Sequence, residues 1–256
     1  MREIIYIAGY GRSGSTIVDV SLGQHPKIMG MGEFTNIFIE WENLRDDPFW
    51  SSIIKDFERD FDFDIAIKDL IKLNRAVQSS SFFTIPKYKI AIYSKAWNLI
   101  LDSIYTKCPD IVLVDSSKTT RLALFRVKRF RKLLDCKIKM IYLTRSFKSV
   151  RNSVKKGGNR SLEKNDPSFG KKSVSKFYIG YFVTLLATKL FYPTIKTKLK
   201  FENFVENPTF FLNKVMQSLG YSNIIYKEDD FVNMDAGNGI SGNRTRRSKQ
   251  LSVTKQ

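Results

Sequence analysis

Apolar positions along the chain fall into two rhythms. The runs Ile4-Ile5-Tyr6-Ile7-Ala8, Ile111-Val112-Leu113-Val114 and Ile138-Lys139-Met140-Ile141-Tyr142-Leu143 are short, nearly continuous and rich in β-branched residues. This is the pattern of strands buried in a parallel sheet. A fourth strand is expected at Thr197-Lys198-Leu199-Lys200-Phe201. Between these runs the spacing turns helical, and strands alternating with helices are the α/β signature. Residues from about 34 to 107 are helical in pattern, rich in aromatic and charged side chains, and too long for a simple crossover. They predict a helical cap insertion. Residues 177–191 are apolar and aromatic, broken by Thr184, Thr188 and Lys189, and predict a core helix. Residues 155–172, with three glycines, one proline and many charges, predict a mobile loop or lid. Residues 237–256 turn from glycine-rich to arginine-rich and predict a basic C-terminal loop or tail. The whole chain, 1–256, is long enough for one substantial core and is expected to be a single domain.

In such sheets ligands bind outside the carboxyl ends of the strands. The polar residues that follow each strand are therefore the first candidates for chemistry. After the first strand comes Gly9-Tyr10-Gly11-Arg12-Ser13-Gly14-Ser15-Thr16, then Ile17-Val18-Asp19-Val20-Ser21-Leu22, which can begin a helix. A strand, a glycine loop and a helix start form an anion site, because backbone N–H groups converge there and the helix dipole favours negative charge. The nucleotide-triphosphatase form of this loop is G-x-x-x-x-G-K-[ST]. Gly9, Gly14 and Thr16 fit it, but Ser15 stands where the lysine belongs. That lysine reaches the β- and γ-phosphates, so its loss argues against ATP or GTP hydrolysis. Arg12 lies inside the loop instead. Asp115 follows the second strand and Thr144-Arg145 the third. In Arg145-Ser146-Phe147-Lys148-Ser149-Val150-Arg151-Asn152-Ser153, Ser153 lies eight residues past Arg145, about two helical turns. An arginine with a hydroxyl suits a second phosphate.

Composition narrows the partners. The formal net charge is +18, which implies an anionic partner: nucleotide, nucleic acid, membrane or acidic substrate. The dense block at 126–132 reads as a solvated basic face on a helix before the third strand. Cys108 and Cys136 form no disulfide framework or zinc pattern and are expected to be buried free thiols. The single histidine, His25, cannot build a multi-histidine metal site, and in Gln24-His25-Pro26 it suits a turn. No run of about 20 apolar residues is present, so no membrane span is expected, while peripheral membrane contact stays open. The chain enters a strand at once, no signal peptide is visible, and a cytoplasmic location is expected.

The two motifs together resemble the sulfotransferases that use 3′-phosphoadenosine 5′-phosphosulfate, and the likeness is to bacterial members and to the carbohydrate and tyrosylprotein branches. The loop at 9–16 looks like the family's 5′-phosphosulfate loop, and Arg145 with Ser153 matches its 3′-phosphate motif in spacing. Met31-Gly32-Glu33-Phe34 stands where those branches carry an acidic residue. Val114-Asp115-Ser116-Ser117-Lys118 is similar to an Asp-x-Ser/Lys segment of bacterial members. Phe201-Glu202-Asn203-Phe204 stands for the family's Tyr-Glu-Asp-Leu and lacks its tyrosine hydroxyl and one carboxylate. Gly242-Asn243-Arg244 resembles a Gly-Asn-x-x-Arg signature.

The resemblance implies a P-loop-type, three-layer α/β fold with a central parallel sheet, a helical insertion and a C-terminal loop. It implies 3′-phosphoadenosine 5′-phosphosulfate as co-substrate and no metal. By the same resemblance Gly11, Arg12, Ser13, Gly14, Ser15 and Thr16 would hold the 5′-phosphate. Arg145, Ser153, Arg246 and Arg247 would hold the 3′-phosphate. Arg12 and Lys118 would stabilise charge on the leaving group, since sulfuryl transfer, like phosphoryl transfer, depends on alignment and charge neutralisation. Glu33 would be the base for an acceptor hydroxyl, with His25 as runner-up. The acceptor is expected to be a carbohydrate, glycolipid or other small molecule, with a peptide also open. Two other classes remain: a P-loop kinase or nucleotide phosphotransferase, with Asp115 as its sole candidate magnesium ligand, and a basic nucleic-acid-binding protein. Against the last, the basic residues cluster in a helix and the tail instead of interleaving with aromatics.

Overall fold

The computed structural model describes residues 1–79, 84–118, 125–155, 174–192, 197–240 and 253. Among them, five strands form one sheet: β1 (Glu3–Ala8), β2 (Ile28–Gly30), β3 (Val112–Asp115), β4 (Lys137–Thr144) and β5 (Lys198–Lys200). Their order is β2-β3-β1-β4-β5, and every pairing is parallel. β1 lies at the centre, with Glu3 opposite Val112 on one side and Lys137 on the other. The four expected strands are present with ends shifted by a residue or two. β2 was not legible: three residues carry no rhythm. Its partner defines it, Ile28 to Gly30 running beside Val112 to Val114.

Side chains of β1 alternate between two cores, as the period of a strand requires. Ile4, Tyr6 and Ala8 face one layer, with Phe34, Trp97, Val127 and Phe130. Ile5 and Ile7 face the other, with Val18, Leu22, Leu143, Phe204 and Leu212. Helices therefore cover both faces and the sheet is the middle of three layers.

The second face is covered by α1 (Ser15–Leu22), α9 (Phe201–Glu206) and α10 (Pro208–Ser218). Between β2 and β3 run α2 (Trp41–Leu44), α3 (Pro48–Asp60), α4 (Ile67–Gln78) and α5 (Lys87–Lys107), so the segment read as a helical insertion is helical. Asp47 starts α3 by accepting from the N–H groups of Phe49 and Trp50 at 2.9 and 3.0 Å, with Pro48 in the first turn. Trp97 of α5 is the hub of the insertion, its ring edge-on to Phe34 at 5.0 Å and to Phe38 at 5.4 Å. Each such pair adds about 0.5–1.5 kcal/mol beyond area burial. These contacts anchor Phe34, and with it the neighbouring Glu33. The remaining helices are α6 (Arg126–Leu133), α7 (Phe147–Lys155) and α8 (Val174–Phe191).

Three expectations need correction. Cys108 and Cys136 are free thiols but only half-buried. α8 is not a core helix: Ile179, Phe182, Leu186 and Leu190 are 56–67% exposed, while Tyr181, Thr184, Ala187 and Thr188 face inward. The threonines can be buried because each hydroxyl donates to a carbonyl one turn back, Gly180 and Thr184, both at 2.8 Å. Apolar residues all round the helix hid which face would be covered. Nor is the block at 126–132 uniformly solvated. Arg126 and Arg129 are buried, Arg129 donating to the carbonyls of Val77 and Ser79, while Lys128, Arg131 and Lys132 stay exposed. The loop expected at 155–172 lies, beyond Lys155, outside the described residues, as does the tail beyond Ile240 apart from Val253.

Candidate active site

β1 ends at Ala8, and the chain turns through residues 9–14 into α1. The turn needs its glycines. Gly14 sits at φ 90° as the N-cap of α1, and a Cβ there would run into the ring of Phe201. Gly9 passes so close to the Leu143 carbonyl that a Cβ would collide with it. Arg12 itself adopts a left-handed φ of 68°. Ser13, Ser15 and Thr16 are 2–4% exposed. The Ser15 hydroxyl is buried without a hydrogen-bond partner in the protein. A buried polar atom in that state is costly unless a ligand or water meets it.

β4 delivers Arg145 beside this loop. Its guanidinium donates to the Arg12 carbonyl at 3.3 Å and lies over the Phe201 ring, 4.4 Å from the centroid. The Arg145 Nε is buried and unpartnered, and so is that of Arg151 on α7. Burial lowers the Arg145 pKa while the Glu202 charge opposes it. The group stays cationic in any case, as guanidinium does in proteins. Glu202 accepts from the Ser146 N–H at 2.8 Å, which ties α9 to the start of α7. Tyr181 of α8 donates to the Arg145 carbonyl at 2.6 Å and meets Tyr10 edge-on at 5.4 Å. Ser153 lies two turns into α7 and is partly buried. The position that lacks a tyrosine hydroxyl, Phe201, thus works as an apolar floor for Gly14 and Arg145.

The second cluster follows β2 and β3. Gly32 pairs with Ile240, Met31 donates to the Val114 carbonyl at 2.9 Å, and Glu33 donates through its N–H to the Ile240 carbonyl at 2.8 Å. The Glu33 side chain meets Lys118, Nζ to Oε1 2.7 Å, and accepts from the Asn36 amide at 3.1 Å. Both carboxylate oxygens keep further lone pairs. Asp115, at the end of β3, accepts from the Ser117 N–H at 2.8 Å and from the Ser117 hydroxyl. Burial pushes its pKa up to about 6, with Ser117 and Arg126 opposing and the charge of Glu33 assisting. Tyr6 is opposite Asp115 and Ala8 opposite Tyr142 in the sheet register. The loop, Arg145 and the Glu33–Lys118 pair consequently share the carboxyl edge of the sheet, where such folds bind ligands.

His25 is at the other edge. It precedes β2, whose first residue is opposite Val112, and α1 carries the chain about 12 Å away from the loop. Its Nδ1 accepts from the Lys27 N–H at 3.2 Å and its ring meets Tyr226 at 5.7 Å. This removes it as runner-up base. Arg246 and Arg247, with Gly242-Asn243-Arg244, lie outside the described residues. A cavity of about 730 Å³ lined by Arg2, Tyr105, Asp110, Leu134 and Lys137 also opens at the amino edge, away from the strand-end loops. Among the described residues, no three His, Cys, Asp or Glu side chains are grouped to hold a metal ion. None of the described helices is long and apolar enough to cross a membrane.

Sequence reasoning missed Tyr6, Gln78 and Arg126, which meet beneath Lys118. The Tyr6 hydroxyl donates to the Lys118 carbonyl at 2.7 Å. Arg126 donates to the carbonyls of Ser117 and Lys118 at 2.8 and 2.9 Å and to Gln78 Oε1 at 2.8 Å. The only prior signal was a phenol in the middle of an apolar strand.

A solved structure shares this arrangement of strands and helices. The sulfotransferase domain from the curacin biosynthetic pathway superposes with a TM-score of 0.56, over 99% of this chain and 85% of that domain, at 16% identity. The chain has the sulfotransferase fold. The sulfotransferase domain of the Synechococcus PCC 7002 olefin synthase is a looser match: TM-score 0.46, 14% identity, 90% of this chain and 78% of that one. A sulfotransferase of Mycobacterium tuberculosis H37Rv gives 0.48, 12%, 90% and 70%. No protein-family model matches the chain, and no curated protein matches it in sequence. Within the sulfotransferase fold, the loop after β1 occupies the topological switch point, where β1 is flanked by β3 and β4.

Proposed function

We propose that this protein is a sulfotransferase that moves a sulfuryl group from 3′-phosphoadenosine 5′-phosphosulfate to a hydroxyl of a carbohydrate or glycolipid acceptor. The observation that carries the reading is the pair of buried, unpartnered donors at the carboxyl edge, Ser15 Oγ and Arg145 Nε. They lie on neighbouring segments after β1 and β4 and suit a ligand with two anionic ends. The donor supplies an activated sulfuryl group on a phosphate leaving group.

The protein's part is positioning and charge. N–H groups of residues 11–16 with the Ser13, Ser15 and Thr16 hydroxyls would receive the 5′-phosphate at the start of α1. Arg145, joined by Ser153 and Arg246 or Arg247, would receive the 3′-phosphate. Arg151, with its buried unpartnered Nε, adds a cation on the same helix as Ser153. Arg12 and Lys118 would offset charge that develops on the leaving oxygen. Glu33 would take the proton of the acceptor hydroxyl, and Lys118 at 2.7 Å holds that carboxylate in place.

Thermal denaturation followed with adenosine 3′,5′-bisphosphate, and separately with Mg·ATP, tests the donor. Stabilisation by the bisphosphate is expected, and stabilisation by Mg·ATP alone would refute the reading in favour of a phosphotransferase. Transfer of labelled sulfate to a panel of glycans, glycolipids and peptides then identifies the acceptor. Glu33→Gln should lower turnover about 10²- to 10⁴-fold, the usual contribution of a positioned base, while bisphosphate binding stays intact. Turnover near that of the unaltered protein would remove Glu33 from the reaction.

A further inference from the structure

Lys118 holds an unusual backbone conformation. Its φ is 64°, a left-handed value that residues with a Cβ rarely adopt without outside support. That conformation goes with the side chain meeting Glu33, Nζ to Oε1 2.7 Å, with Lys118 only 13% exposed. The support comes from below. The Lys118 carbonyl accepts from the Tyr6 hydroxyl at 2.7 Å and from Arg126 Nη1 at 2.9 Å, and the same Nη1 also reaches the Ser117 carbonyl at 2.8 Å and the Tyr6 oxygen at 3.1 Å. Gln78 fixes the other side of the guanidinium through Nε and Nη2, at 2.8 and 2.5 Å. Tyr6 is 1% and Arg126 8% exposed, so neither can touch an acceptor or donor directly. A buried guanidinium with this many fixed acceptors is a rigid fork, and losing it would leave several buried carbonyls without donors.

We infer that Tyr6 and Arg126 are positioning residues for the transfer reaction, clamping the Lys118 carbonyl so that the Lys118 side chain is held against Glu33. The inference rests on the proposed roles of Glu33 and Lys118 in sulfuryl transfer. The clamp spans the molecule in sequence: Tyr6 from the central strand, Gln78 from the helical insertion, Arg126 from α6. It therefore ties the base and its cation to the core, independently of the phosphate loop on the other side of β1.

Two measurements separate the clamp from the reaction it serves. The first needs no activity: the rate at which an amine-acylating reagent modifies Lys118, read by mass spectrometry against the exposed Lys200 of the same molecule. Tyr6→Phe and Arg126→Met should each raise Lys118 labelling several-fold over the unaltered protein, and Arg126→Lys should restore part of the protection. Unchanged labelling in Tyr6→Phe, a variant that keeps the buried ring, would overturn the clamp even if Arg126→Met fails to fold. The second is a kinetic cycle. Tyr6→Phe should lower kcat between about twofold and tenfold, as one hydrogen bond to a positioned carbonyl implies, with the KM for the donor nearly unchanged. In a Lys118→Met background the same change should cost under about twofold, because the side chain it positions is gone. Equal losses in both backgrounds would show a general packing effect and overturn the inference. If Lys118→Met alone keeps full turnover while labelling still responds to Tyr6→Phe, the clamp stands and the role of Lys118 in transfer falls.

Discussion

Asp115 offers a prediction whose size can be worked from its surroundings. It is fully buried at the end of β3, and loss of solvation raises its pKa from 3.8 to about 6, against the hydrogen bonds of Ser117 and the charge of Arg126. That rise corresponds to about 3 kcal/mol between the two protonation states. The folded protein holds this proton more tightly than the unfolded chain does. Asp115 therefore contributes stability that is fully present below about pH 4 and is lost as pH rises through about 6. Asp115→Asn keeps the shape and cannot titrate. Urea unfolding of both proteins from pH 4 to pH 7.5 isolates the group, because titrations not coupled to Asp115 cancel in the difference. The stability of the parent relative to the variant should fall by about 2.5 kcal/mol across that window and level off above about pH 7. A difference that stays flat, or that grows with pH, would show that Asp115 is not held protonated by burial.

Three further outcomes test the site and the surface. Gly14→Ala places a methyl at φ 90° against the Phe201 ring and should cost about 1–3 kcal/mol of stability in urea unfolding. Its affinity for adenosine 3′,5′-bisphosphate should fall at least about tenfold by calorimetry, since the helix start would shift; an unchanged affinity would separate the loop from the anion. Arg145→Ala should weaken bisphosphate binding by about 1.5–3 kcal/mol, roughly 10- to 150-fold, the value of hydrogen bonds to a charged group, and inorganic sulfate should not restore full affinity. Leu186→Gln changes a residue that is 60% exposed on α8 and should move stability by no more than about 0.5 kcal/mol; a loss several times larger would show that this face is covered.

What could be read from the sequence divides along the physics of each signal. β1, β3 and β4 are continuous apolar runs that only a two-sided environment satisfies, so their burial was legible. The tight turn at 9–14 was legible because closely spaced glycines between a strand and a helix mark a backbone that a Cβ would obstruct. Arg145 was legible through its place after a strand. β2 was not, because three residues take their conformation from a neighbour and carry none of it in their own pattern. α8 misled because Thr184 and Thr188 satisfy their hydroxyls locally, so polar residues could face inward and apolar ones outward. His25 misled because chemistry without topology ignores the direction of α1. The pairing of Glu33 with Lys118 was not legible either, since the two meet only once β2 and β3 are paired.

The basic excess of the sequence also changes meaning in three dimensions. A block such as the one at 126–132 looks like surface charge awaiting a polyanion, yet Arg126 and Arg129 spend their hydrogen bonds on carbonyls of the insertion and of the turn after β3. Burial favours arginine over lysine for this work, because a planar fork satisfies several acceptors at once and stays charged. The exposed members of the block are left to solvent. The cations proposed to meet an anionic ligand lie at one edge of the sheet, among them Arg12 in the loop, Arg145 after β4 and Lys118 after β3. Of the nearby carboxylates, Glu33 is paired with Lys118, and Glu202 accepts from the Ser146 N–H. On the proposed reading, the ligand is small and doubly anionic and not an extended polyanion. Salt sensitivity distinguishes the two. Bisphosphate affinity should weaken modestly between about 50 and 200 mM salt, whereas binding through many phosphate contacts would fall by about 10³-fold or more.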